Sequence, residues 1–134
     1  MTNINIYFDG GSKPERVGFL WEWHGYGSYE IEADGLHFKM EREQFGKMTC
    51  NQAEYTAFIK ALEWMFPKIP FGLKPVINIF TDSKLVREQV MDNWKAKKPH
   101  LKDLCSKAQA LLSQSYRWNI QWRSRVENVK RFGH

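Results

Sequence analysis

The chain has almost no cysteine. Its two, Cys50 and Cys105, are far apart and stand in no CxxC or Cys/His spacing, which excludes a disulfide scaffold and a zinc-ribbon centre. Both read as free thiols in a reducing compartment. Long apolar runs are missing too: no stretch of about 18 apolar residues occurs, so no membrane-spanning helix is expected. The start, MTNINIYFDGG, enters a strand pattern directly, with neither a basic n-region nor a cleavable apolar stretch. A cytoplasmic protein with no membrane partner is the expectation. Internal repeats and low-complexity tracts are absent as well, which argues against solenoids and disordered linkers. His24, His37 and His100 show no metal-ligand spacing and read as surface residues.

What is present is enough apolar material for a core. At 134 residues, 43% hydrophobic and 15% aromatic, the chain fits one compact domain spanning 1–134. Its charge is uneven. Residues 1–83 hold 8 Lys/Arg against 11 Asp/Glu, while residues 84–134 hold 12 against 4, for a net charge of +5 overall. A basic second half suits a polyanion, and acids gathered in the first half suit a metal; nucleic acid is the natural polyanion. A solvated basic face would give the same count.

Hydrophobic period gives the elements. Asn3 to Asp9 alternates Ile4, Ile6 and Phe8 against Asn3, Asn5 and Tyr7, and the pattern predicts a strand that breaks at Gly10-Gly11. Two further strands are expected between Phe19 and Phe45, around the turn-like Asp34-Gly35 pair, completing a meander. From Gln52 the period turns helical, with Ala53, Ala57, Phe58, Ala61, Leu62 and Met65 on one side and Pro67 as the stop. VINIFTD reads as a buried strand, with Ser83 capping a helix through Leu85, Val86, Val90 and Trp94. Leu101, Leu104, Cys105, Ala108, Leu111 and Leu112 predict a third helix, and Trp118, Ile120 and Trp122 a last strand before a short basic tail. Trp64, Trp118 and Trp122 are expected in the core. The order is mixed α/β with an antiparallel meander.

Three segments place a carboxylate where a strand ends or a helix begins: Asp9 in IYFDGGS, Glu54 in NQAEYTAF and Asp82 in INIFTDS. Strand carboxyl ends are where ligands bind in α/β sheets. Three acids in one cleft repel one another and hold protons unless a divalent cation neutralises them, so the pattern points to a Mg2+ cage. Taken singly, Asp9 could be a turn former, Asp82 a cap, Glu54 a helix-dipole residue and Asn51 an N-cap. Lys95, Lys97 and Lys98 beside Trp94 fit a phosphate-contacting ridge or an ordinary solvated run.

Together FDGGS, then T-x-N-Q-A-E-Y opening a helix, then I-x-x-x-TDS opening the next, resemble ribonuclease H of type 1. NWKAKKPHLKDL and the ending WNIQWRSRVEN extend the resemblance to nearly the whole chain, in the short form without a hybrid-binding domain. It implies an α/β ribonuclease H-like fold: a five-stranded mixed sheet, antiparallel meander then parallel strands, with helices on both faces. The implied activity is cleavage of the RNA strand of an RNA/DNA hybrid by two Mg2+ ions, or Mn2+, about 4 Å apart, leaving 5'-phosphate and 3'-hydroxyl ends. By position Asp9 would bridge both ions, with Glu54 and Asp82 completing the ion on the leaving-group side. Glu54 would also accept a hydrogen bond from the 2'-hydroxyl beside the scissile phosphate.

The resemblance further implies that Asn51 and Gln52 reach minor-groove 2'-hydroxyls and base edges, and that the Gly10-Gly11-Ser12 backbone approaches the RNA strand closely. Ser83, Arg125, Lys95, Lys97 and Lys98 complete the substrate-side set, and a monomer is expected. The departure lies at the end. The family pattern R-x-x-N-x-x-A-D, counted from Arg125 and Asn128, puts Phe132 where a fourth carboxylate belongs. A loop two residues longer would bring His134 there instead, as an imidazole or terminal-carboxylate ligand that favours Mn2+, or as a shuttle for product release. The rival readings are a nucleic-acid-binding domain that has lost activity, and a DNA nuclease of the same fold.

Overall fold

The computed structural model describes residues 3–134. Five strands form one sheet in the order β3-β2-β1-β4-β5: β1 (Asn3–Val17), β2 (Leu20–Ala33), β3 (Leu36–Lys47), β4 (Val76–Thr81) and β5 (Arg117–Trp122). The first three pair antiparallel, and β4 and β5 add on parallel to β1. Four α-helices complete the chain: α1 (Cys50–Met65), α2 (Lys84–Val90), α3 (Pro99–Leu112) and α4 (Arg125–Phe132). Among the described residues no helix is long and apolar enough to cross a membrane.

Strand alternation sends Ile4, Ile6 and Phe8 to one face, where Ile77, Ile79 and Ile120 lie in register with them and all are essentially fully buried. Helix α1 covers this face with the residues its period exposes: Ala53, Ala57, Phe58, Ala61, Leu62 and Met65 are all buried. Phe8 stacks on Phe58 at 4.7 Å between ring centroids. Burying each such side chain is worth about 1.5–3 kcal/mol, so this face is the main source of stability. The helix starts earlier than its apolar period suggests. Thr49 is the N-cap, in a capping box with Gln52, so Asn51 lies inside the first turn and is not the cap. Pro67 ends the helix in a short 3-10 turn, Phe66–Lys68.

The opposite face is polar. Asn5, Asn78 and Asn119 stand side by side across β1, β4 and β5 and pass hydrogen bonds along the row, at 3.2 and 2.8 Å. Next to them Tyr7 stacks on Phe80 at 4.8 Å, and the Arg131 guanidinium from α4 lies 3.5 Å above the Tyr7 ring. Helices therefore flank both faces, with α4 alone on the polar one.

Four details depart from the sequence expectation. Strand β1 does not break at Gly10-Gly11; both glycines stay in register with β2 opposite Gly27 and Tyr26, and the hairpin turns at Gly18, φ +63°. The reason for glycine at position 10 is helix packing, since a Cβ there would stand 2.6 Å from the Ala53 carbonyl carbon of α1. Helix α2 stops at Val90 and leaves Trp94 outside and 49% exposed, because the chain turns through Asp92 at φ +62°. The basic tail is a helix: Phe132 anchors α4 by burial, and Gly133 ends it in the left-handed conformation, φ +78°. Finally, Trp122 is a surface residue, 53% exposed at the end of edge strand β5, where its indole N–H donates to the Asp82 carbonyl at 3.2 Å.

Candidate active site

Parallel pairing of β1 with β4 ends at Tyr7 and Phe80. Asp9 sits just past that point on β1, and Asp82 just past the end of β4. The two acids thus flank the notch where the parallel strands stop, although β1 itself continues into the hairpin. Glu54 arrives from the first turns of α1, held by the Gly10 N–H, which donates to its Oε2 at 3.1 Å. The helix can come this close only because position 10 lacks a Cβ. One oxygen from each of Asp9, Glu54 and Asp82 then lies within 4.8 Å of the others.

Burial makes this cluster electrostatically strained. Asp9 and Glu54 are each only 6% exposed. Burial first, and then the charge of Asp82, raises the Asp9 carboxyl to about 7. Glu54 is pushed well above its ordinary range by burial and then by Asp9 and Asp82. Arg125, at the start of α4, pulls both down, as one positive charge facing three acids. An all-oxygen donor set in which burial raises Asp9 and Glu54 suits a hard divalent cation, which would supply compensating charge.

The cluster lines a cavity of about 180 Å3 that also takes in Gly10, Gly11, Ser12, Tyr26, Cys50, Arg125 and His134. Asp9, Glu54, Asp82, Gly10, Gly11, Ser12, Arg125 and His134, all read from the sequence, therefore share one hollow. His134 reaches it from the end of α4, with Nδ1 at 3.1 Å from Asp9 Oδ2 and Nε2 at 2.7 Å from Ser28 Oγ. Its imidazole is held below the usual value, by burial first and then by Arg42 and Arg125. Phe132, at the position counted for a fourth acid, is buried beneath it.

Other members of the sequence set lie apart from the cavity. Ser83 caps α2 through the Val86 N–H. The Thr49 N–H donates to the side-chain oxygen of Gln52, which lines a neighbouring groove with Trp21, Trp23 and Met48. Lys95, Lys97 and Lys98 are exposed in the segment between α2 and α3, outside the cavity lining. Ser28, Tyr26 and Cys50 were not singled out by sequence. Ser28 has no local signal, because its place opposite Asp9 depends on the β1–β2 register. Cys50 stood one residue before the Asn51-Gln52 pair and could have been found from that adjacency.

Comparison with known proteins settles the family. The family model for RNase H matches residues 1–129. The chain belongs to the RNase H family. A bifunctional protein of Mycobacterium tuberculosis is 38% identical over 106 residues, which cover 78% of this chain and 28% of that protein. The RNase H domain of that bacterium, solved as a maltose-binding-protein fusion, superposes with a TM-score of 0.79 at 29% identity, over 97% of this chain and 88% of that one. Ribonuclease HI of Halobacterium salinarum is 31% identical over 131 residues, 95% of this chain and 59% of that protein. LC11-RNase H1, solved in complex with an RNA/DNA hybrid, gives a TM-score of 0.72 at 25% identity, covering 95% and 89% of the two chains. This RNase H chain thus spans less than two thirds of the length of the curated relatives named here. Its sheet order and helices are those of a type 1 RNase H-like protein.

Proposed function

We propose that this chain is an endoribonuclease that hydrolyses the RNA strand of RNA/DNA hybrids and leaves 5'-phosphate and 3'-hydroxyl ends. The observation that carries the reading is the convergence of Asp9, Glu54 and Asp82, within 4.8 Å, at the end of the β1–β4 pairing in an RNase H fold. These three acids would hold Mg2+ or Mn2+, two ions in the full site. When bound, the ions activate water and stabilise charge on the leaving oxygen.

The chain's own residues supply position. Gly10 fixes Glu54 through its N–H, which leaves the other carboxylate oxygen of Glu54 for an ion or a ribose 2'-hydroxyl. Arg125 faces the cluster as a fixed positive charge at the cavity wall, where a scissile phosphate would lie. Gly11 and Ser12 offer backbone at the same wall, and Asn51 and Gln52, in the first turn of α1, are assigned to the minor groove. Lys95, Lys97 and Lys98, exposed between α2 and α3, are assigned to the phosphates of the flanking duplex. A monomer acting in the cytoplasm is the working form.

The replacement of the fourth acid by Phe132 keeps one second reading in play, a hybrid-binding domain without turnover. Both are tested by incubating a labelled hybrid, and the matching DNA duplex, with wild type and Asp9→Asn in Mg2+ and in Mn2+. Hybrid cut by wild type alone, with the DNA duplex intact, is the expected result. Hybrid bound but uncut in both metals would replace the proposal with the binding reading.

A further inference from the structure

His134 is gripped at both ring nitrogens by residues that face each other across the β1–β2 ladder. Asp9 and Ser28 are register partners, so their side chains leave the sheet on one face, the face covered by α4. Asp9 Oδ2 meets Nδ1 at 3.1 Å and Ser28 Oγ meets Nε2 at 2.7 Å. Ser28 is only 1% exposed, so no water competes for its hydroxyl. The Tyr26 ring closes edge-on at 5.1 Å and Phe132 lies alongside. The side chain of His134 is 8% exposed. A serine alone would not reach solvent or substrate from its position. Its one evident task is the imidazole.

A hydroxyl is the partner that fits both neutral forms of a histidine ring, because it donates and accepts. With no ion present, the proton on Nδ1 satisfies Asp9 and the Ser28 O–H donates to Nε2. To serve as a donor beside Asp9, Nδ1 would present its lone pair and the single ring proton would sit on Nε2, where Ser28 Oγ would accept it. The ring keeps one proton throughout.

We infer that Ser28 is a positioning residue that lets His134 act as a nitrogen donor beside Asp9, replacing the fourth carboxylate and biasing the site towards Mn2+ over Mg2+. Imidazole suits Mn2+ better than the harder Mg2+, so the bias follows from the donor change. This rests on the metal-binding reading of the three acids.

The test is calorimetric titration of Mn2+ and of Mg2+ into wild type, Ser28→Ala, His134→Ala, the double variant and Asp9→Asn, with melting curves of each protein. Ser28→Ala should weaken Mn2+ binding by about 10- to 100-fold and change Mg2+ binding by less than about 3-fold. The double variant should bind Mn2+ no more weakly than His134→Ala alone. On wild type itself, substoichiometric Mn2+ should broaden the His134 ring protons before those of His24, His37 and His100. Unchanged Mn2+ affinity in Ser28→Ala, losses that add in the double variant, or an unbroadened His134 ring would each overturn the inference. If Asp9→Asn abolishes binding while Ser28→Ala does not, the acid site stands and only the role of Ser28 falls. Binding that survives Asp9→Asn would instead undo the metal-binding reading.

Discussion

The two faces of the sheet are built from opposite materials. On the α1 side, Ile6, Phe8, Ile79 and Phe58 interlock with no polar atom among their side chains, and this face supplies most of the stability. On the α4 side the same strands carry Asn5, Asn78 and Asn119 in a hydrogen-bonded row and place Tyr7 under Arg131. The difference is a division of labour. The apolar face fixes the strand ends and α1, and so fixes Glu54 against Gly10. The polar face tolerates a lightly packed helix whose end delivers His134 to Asp9. A single strand, β1, serves both sides, with Phe8 turned to the core and Asp9 to the site.

The sharpest way to break this division is Asp9→Asn. Losing a charged ligand removes several kcal/mol of transition-state stabilisation, so hybrid cleavage should fall by about 10^3- to 10^4-fold. Because the amide relieves repulsion with Glu54 and Asp82, the metal-free variant should melt higher than wild type at pH 8. Cleavage assays and melting curves on the same preparations would check both. On the other face, Phe58→Ala should cost about 3–5 kcal/mol in denaturant unfolding, through the cavity left against Phe8. Restoring the fold of that variant at low temperature should bring cleavage back, which no temperature would do for Asp9→Asn.

A pH series separates the faces without mutation. The Asp9 carboxyl is raised to about 7 in the folded chain, above its unfolded value near 4. Between these values the folded state binds more protons than the unfolded one, so stability should fall as pH rises through that window. The expected loss is on the order of 4 kcal/mol in chelator, with the melting temperature recovering when Mn2+ is added. A flat profile in chelator would mean that burial and the neighbouring Asp82 do not raise the Asp9 carboxyl as argued. The smallest effect is expected from Asn78→Ala. It interrupts the row on the polar face and should cost about 0.5–1.5 kcal/mol in unfolding, with cleavage nearly intact.

Much of the α1 face was legible because period alone encodes it. Ile4, Ile6 and Phe8 alternate, and Ala53 to Met65 repeat at helical spacing, so each face could be read without knowing its partner. The three acids were legible for a related reason: each sits at a boundary that local pattern marks. The extent of β1 was not, because Gly10 and Gly11 look like a turn in sequence and are instead clearance for α1 and Tyr26. Helix α4 was also hidden. Its eight residues carry a weak apolar stripe among charges, and the burial of Phe132 and Asn128 that marks it as a helix against the sheet has no counterpart in local composition.

The sequence by itself carried the family's motifs, the order of elements as far as β5 and the three carboxylates, since these rest on local chemistry and on motifs spaced along the chain. Only the tertiary structure decided what the last residue does. Whether His134 meets Asp9 depends on the β1–β2 register that sets Ser28 opposite Asp9, on the left-handed turn at Gly133, and on Phe132 seating α4. The contacts that result join His134 to residues more than a hundred positions away, as the Ser28–His134 separation of 106 illustrates. No local pattern carries information over that distance; the folded sheet does.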